Sequence, residues 1–195
     1  TRLPIALRNN GWESTLEDCE ESDNAVAFLA AAGIKVGSGG QIRVDKHQRT
    51  SQPHIWALGD VSSDRLLKHV ANAEARTVAA NLLIDGGELA ATDHRYIPHA
   101  VFTEPQIAAV GATEEQLQEW GTPYVAFKQR YADVAFGWAL EDEGHFVKLL
   151  ADPRTWHLLG AHIIGPQAAT LIQPMIQAMS FGQTVQELAR GQYWI

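Results

Sequence analysis

The chain has 195 residues, of which 46% are hydrophobic and 19% charged, with a formal net charge of −8. That hydrophobic content supports a packed core and excludes wholesale disorder, while an acidic balance with no basic run argues against a nucleic-acid partner. No apolar stretch reaches the roughly 18 residues of a membrane span, and one cysteine, Cys19, excludes an internal disulfide framework and fits a reducing, cytoplasmic compartment.

The first residues, Thr1-Arg2-Leu3-Pro4, lack an initiator Met and the apolar core of a signal peptide, so the chain reads as cut from something longer. Residues 1–31 carry no motif that assigns them. Cys19 sits among Glu, Asp and Ser, a setting that disfavours a thiolate, so it is not expected to be a reactive thiol. Asp23 is expected to cap a short helix over 24–32, ended by Gly33 at the C′ position. Ile42 and Val44 alternate with polar residues as a half-buried strand does. After a loop marked by Pro53, the run Ile55-Trp56-Ala57-Leu58 reads as a strand buried on both faces, as in a parallel sheet, and leads straight into Gly59-Asp60. In open α/β sheets ligands bind at the carboxyl ends of the strands, so Asp60 is a candidate hydrogen-bond acceptor for a ligand; it equally suits a helix N-cap. A helix over about 66–84 follows, with Leu67, Val70, Ala71, Ala75, Val78, Ala79 and Leu82 forming its apolar stripe and Asp85-Gly86-Gly87 ending it.

The polar segment 88–98 reads as a linker between two domains, placed at 1–97 and 98–195. Thr113 to Gln116 and Thr184 to Glu187 are capping boxes, each opening a short helix. Residues 124–131, 145–151 and 156–164 read as strands, the last two joined by a type I turn with Asp152 first and Pro153 second. Residues 133–138 read as an irregular connection, and Glu141-Asp142-Glu143 as a solvated turn without cation-binding spacing. Pro166 is expected in the first turn of a helix that Pro174 kinks; its apolar stripe includes Met175 and Met179 and serves as core or as an interface. None of the eight histidines shows a zinc-like spacing, so no metal site is expected.

The run Gly40-Gln41-Ile42-Arg43-Val44-Asp45, then Gln48-Arg49-Thr50-Ser51 and Ile55 to Val61, resembles the second flavin-binding segment of the flavoprotein (class I pyridine nucleotide-disulfide) oxidoreductases. Residues Leu67 to Arg76 resemble the helix of that family whose first turn faces the flavin ring, and Ala100 to Gly111 resemble the opening of its interface domain. The resemblance implies an α/β flavin-domain remnant followed by an α+β interface (dimerisation) domain with an antiparallel sheet and helices. It implies FAD held by Gly59 and Asp60 and by the backbone around Leu67, Lys68 and His69, where a helix start can stabilise negative charge on the reduced flavin. His69 is read as a packing or capping residue rather than a base.

Phe181-Gly182, Ala189 to Ile195 and Asp133 to Trp138 point to the branch of the family that acts on mycothiol disulfide with NADPH and FAD. The implied partners are a second copy of the chain, forming a homodimer through the C-terminal domain, and a small-molecule disulfide. The family's redox cysteine pair, its NADPH domain and its acid–base His, expected just beyond Ile195, are not in this sequence. No catalytic residue is therefore assigned, and the chain alone is expected to be inactive. The branch acting on dihydrolipoamide, a related flavoprotein reductase without disulfide chemistry, and a non-catalytic dimerisation module are the alternatives.

Overall fold

The computed structural model describes residues 20–191; residues 1–19, Cys19 among them, and residues 192–195 lie outside that range. The chain forms two compact units that divide between His94 and Arg95.

In the first unit, helix α1 (Glu20–Ala31) already includes Asp23, which is therefore inside the helix and not its cap. Gly33, with φ of +72°, ends it: its N–H reaches the Ala30 carbonyl at 2.9 Å, and the Ile34 N–H reaches Leu29 at 2.8 Å. That pair of bonds is a Schellman motif, and Gly is the residue that enters the left-handed region without a Cβ penalty. The expected strands around Ile42 and at 55–58 are reduced to single bridges, Val36 with Ile42 and Arg49 with Trp56, both antiparallel. A strand buried in a parallel sheet needs neighbours on both sides, and the described residues supply this run with one antiparallel neighbour; of its four residues only Ala57 is buried. Helix α2 (Lys68–Leu83) buries Val70, Glu74, Val78 and Asn81 on one stripe.

The expected linker is tied down as far as His94. The Asn81 side chain both accepts from the Ala90 N–H, at 2.7 Å, and donates to the Ala90 carbonyl, at 2.9 Å. The Thr92 N–H donates to the Lys46 carbonyl at 3.0 Å. Polar composition alone reads as loop; these bonds satisfy backbone groups that would otherwise hold the segment in solvent.

The second unit is a five-stranded antiparallel sheet in the order β1 (His99–Val101), β2 (Ile107–Gly111), β5 (Leu158–Ile164), β4 (Phe146–Ala151), β3 (Val125–Arg130). Its register places Ala109 opposite His162 and Lys148 opposite His162 across the central strands. One face carries Ala108, Val110, Ala161 and Ile163, and these pack with Ala168 from α5 (Ala168–Leu171), Ala178 and Met179 from α6 (Gln173–Ser180), and Ile172 at the joint between the two helices. Helix α3 (Glu114–Glu119) is opened by the Thr113–Gln116 capping box and buries Leu117. A second box, Thr184 with Glu187, opens α7 (Val185–Arg190).

Four local expectations change. Residues 131–139 are ordered as a 3-10 turn, Tyr131–Asp133, and a helix, α4 (Ala135–Ala139). Pro174 does more than kink: it starts α6 as a separate helix, where a residue without an N–H costs nothing, and Pro166 precedes α5 instead of sitting in its first turn. The β4–β5 turn is one residue longer than type I, because Trp156, at φ of +61°, returns its N–H to the Asp152 carbonyl at 2.8 Å. Asp142 is not solvated; its carboxylate is engaged by His145 and the Gly144 amide.

Candidate functional site

Gly59 and Asp60 lie in a one-turn 3-10 helix, Gly59–Val61, six residues before α2. Asp60 is therefore not the N-cap of α2; that position is Leu67, whose side chain offers no oxygen to the helix start. Gly59 is buried at φ of +70°, and a Cβ added there would stand 3.3 Å from the Cβ of Ala71. A side chain at this position would both strain the backbone and press on α2, which accounts for glycine. The Gly59 carbonyl accepts from the amides of Ser62 and Ser63, each at 2.9 Å.

Leu67 is half-buried, whereas Lys68 and His69 are exposed on the first turn of α2. The Val70 and Ala71 amides return to the Leu67 carbonyl at 3.0 and 3.1 Å, and those of Lys68 and His69, the first in the helix, have no intrahelical partner. Asp60 is half-buried. The turn that carries Gly59 and Asp60 lies against α2 near Ala71, one turn along from Leu67, Lys68 and His69. None of them lines a nearby cleft of about 340 Å³ whose walls include Gln48, Ser62, Ser63, Glu74, Thr92 and His94.

Two residues in this region escaped the motif reading. Glu74, 1% exposed, accepts from the Gly59 N–H through Oε2 at 2.6 Å, and its Oε1 lies 3.0 Å from His94 Nε2. The signal for Glu74 was a carboxylate at the core spacing Val70-Glu74-Val78. His94 carried no signal, because its position comes from the docked segment 90–94. Nearby, partial burial raises Asp45, but the Arg49 and His47 amides and the Arg49 guanidinium outweigh it and hold that carboxyl below its ordinary range. Among the described residues there is no group of three His, Cys, Asp or Glu that could hold a metal ion, and no helix long and apolar enough to cross a membrane.

Residues 97–193 match the dimerisation domain of the pyridine nucleotide-disulphide oxidoreductases, and residues 21–77 match the pyridine nucleotide-disulphide oxidoreductase domain. The chain belongs to this family: a partial flavin-binding domain followed by a dimerisation domain. It is similar to mycothione reductase of Mycobacterium tuberculosis, 57% identical over 167 residues, which are 84% of this chain and 36% of that protein. Dihydrolipoyl dehydrogenase of Mycobacterium bovis is 36% identical, over 84% of this chain and 35% of its own length. Among solved structures, the HOCl-induced flavoprotein disulfide reductase RclA of Escherichia coli matches with a TM-score of 0.76 at 28% identity, covering 85% of this chain and 38% of that one. LpdA of Mycobacterium tuberculosis matches with a TM-score of 0.78 at 28% identity, covering 85% and 36%. The chain therefore spans about a third of the length of these relatives.

Proposed function

We propose that this chain supplies one flavin-contacting segment and the dimer surface of an FAD- and NADPH-dependent reductase whose substrate is mycothiol disulfide. The observation that carries the substrate is the gap in identity: 57% to mycothione reductase, against 36% to a dihydrolipoyl dehydrogenase and 38% to a mercuric reductase over nearly the same stretch.

Local geometry supports the flavin part. The half-buried Asp60 carboxylate, on a turn fixed at both ends of Gly59, suits the hydroxyls of a ribityl chain. The helix start at Leu67 has no side-chain cap, so the amides of Lys68 and His69 suit oxygens at the edge of the flavin ring. The Lys68 ammonium adds positive charge at the same end. When bound, FAD supplies two-electron transfer between a nicotinamide and a thiol pair. His69 is given no proton-transfer role.

In this reading the protein is a cytoplasmic homodimer that pairs through the second unit about a two-fold axis. Met179, 4% exposed, is a core residue, and the half-buried Met175 packs against the same core. The exposed apolar residues of that unit include Phe102, Phe136, Trp138 and Phe181. The test is NADPH oxidation by the protein expressed from its full reading frame, with mycothiol, glutathione and lipoamide disulfides side by side. A kcat/KM for mycothiol disulfide at least about tenfold above the other two is expected. Preference for lipoamide would favour the dihydrolipoamide branch, and no disulfide-dependent turnover would favour a non-catalytic module.

A further inference from the structure

The stripe of α2 that faces the interior of the first unit reads Val70, Glu74, Val78, Asn81, and all four are buried. An apolar residue at position 74 would continue that stripe without desolvating a charge. A carboxylate 1% exposed is costly unless it is paired and hydrogen-bonded. Glu74 meets that requirement with two partners of different origin. Its Oε2 accepts from the Gly59 amide at 2.6 Å, and its Oε1 faces His94 Nε2 at 3.0 Å. The Gly59 carbonyl is held from the other side by the Ser62 and Ser63 amides, each at 2.9 Å. Both polar groups of Gly59 are thus fixed, at the residue whose left-handed φ of +70° sets where the chain goes next. The next residue is Asp60.

We infer that Glu74 is a positioning residue for flavin binding: through the Gly59 amide it fixes the turn from which Asp60 reaches the ribityl hydroxyls. The inference rests on the flavin reading given above. Glu74 itself is turned into the unit. Its effect passes through the peptide that it holds, and His94 orients the carboxylate from the docked segment. Gln at position 74 keeps an oxygen for the Gly59 N–H; Met fills the space and leaves that buried N–H without a partner.

A double-mutant cycle in the full-length protein tests this, read as the FAD dissociation constant by quenching of flavin fluorescence. Amide hydrogen exchange at Gly59 in the flavin-free protein gives a second readout. Glu74→Met is expected to weaken FAD binding on the order of tenfold and to speed Gly59 exchange, and Glu74→Gln to restore most of both. In an Asp60→Ala background, Glu74→Met is expected to cost little more, because the residue it positions is gone. Equal losses in both backgrounds, or slow Gly59 exchange in Glu74→Met, would overturn the positioning role while leaving the flavin reading intact. Wild-type FAD affinity in Asp60→Ala alone would instead overturn the flavin reading, and the role of Glu74 with it. Should Glu74→Met fail to fold, the same cycle run with Glu74→Gln decides: most of the wild-type affinity and slow Gly59 exchange are expected, and a tenfold loss that persists without Asp60 contradicts the role.

Discussion

The carboxylate of Asp142 grips His145 from two sides: Oδ2 lies 2.5 Å from the imidazole Nδ1, and Oδ1 accepts from the His145 amide at 3.0 Å. Its side chain is 4% exposed, at the entrance to β4. Burial raises this carboxyl, but the His145 ring and amide and the Gly144 amide outweigh burial and hold it below its ordinary value of 3.8. A carboxyl depressed in the folded state adds stability that is complete above the unfolded value and is lost as pH falls through the folded one. Unfolding by urea should therefore show wild type more stable than Asp142→Asn near pH 6, with the gap closing as pH is lowered to about 3. A gap independent of pH would contradict the pairing.

The cap of α7 gives a second prediction. Thr184 accepts from the Glu187 N–H at 3.2 Å, and Glu187 Oε2 accepts from the Thr184 N–H at 2.8 Å. A six-residue helix has little stability of its own, so Thr184→Ala should cost about 1 kcal/mol in denaturant unfolding and Thr184→Ser much less. Equal losses in the two variants would show that the box does not hold the helix.

Core packing gives a third. Ile163 is 1% exposed in the central strand, against the α5–α6 layer. Ile163→Ala should cost about 2–5 kcal/mol, from lost transfer energy and the cavity left behind. A change under about 0.5 kcal/mol, typical of surface positions, would place this strand elsewhere.

Much of the second unit was legible in the sequence because its signals are local. Both capping boxes, the strands β3, β4 and β5 and the apolar stripe of residues 168–179 depend on residues close together in the chain, whereas β1 and β2 were not read as strands. The helix break at Ile172 was visible as Pro174 but not its completeness, since Pro is tolerated at a helix start as readily as it kinks an interior. In the first unit, Ile55 to Leu58 has strand composition, but composition cannot say whether a neighbour is present. The Gly59-Asp60 pair stood out by motif; Glu74 did not, because a carboxylate on a helix ordinarily reads as solvent-facing. His94 needed the fold, being brought to Glu74 by hydrogen bonds that Asn81 and Lys46 make to residues 90 and 92.

Assembly is a further point of test. The second unit matches a dimerisation domain and leaves Trp138 and Phe181 largely exposed. Sedimentation of the full-length protein at micromolar concentration should give a dimer. A monomer under those conditions would contradict pairing through this unit.

The most direct measurement of the central claim, that this chain carries part of a flavin site, compares FAD retention in full-length wild type and Asp60→Ala after extended dialysis. Loss of a charged acceptor to the ribityl hydroxyls should cost about 1.5–3 kcal/mol, roughly ten- to a hundredfold in affinity. A yellow wild type is expected, with an Asp60→Ala variant that loses its flavin while remaining folded by circular dichroism. An Asp60→Ala variant that keeps FAD as wild type does, or a folded wild type with no affinity for FAD, would contradict it.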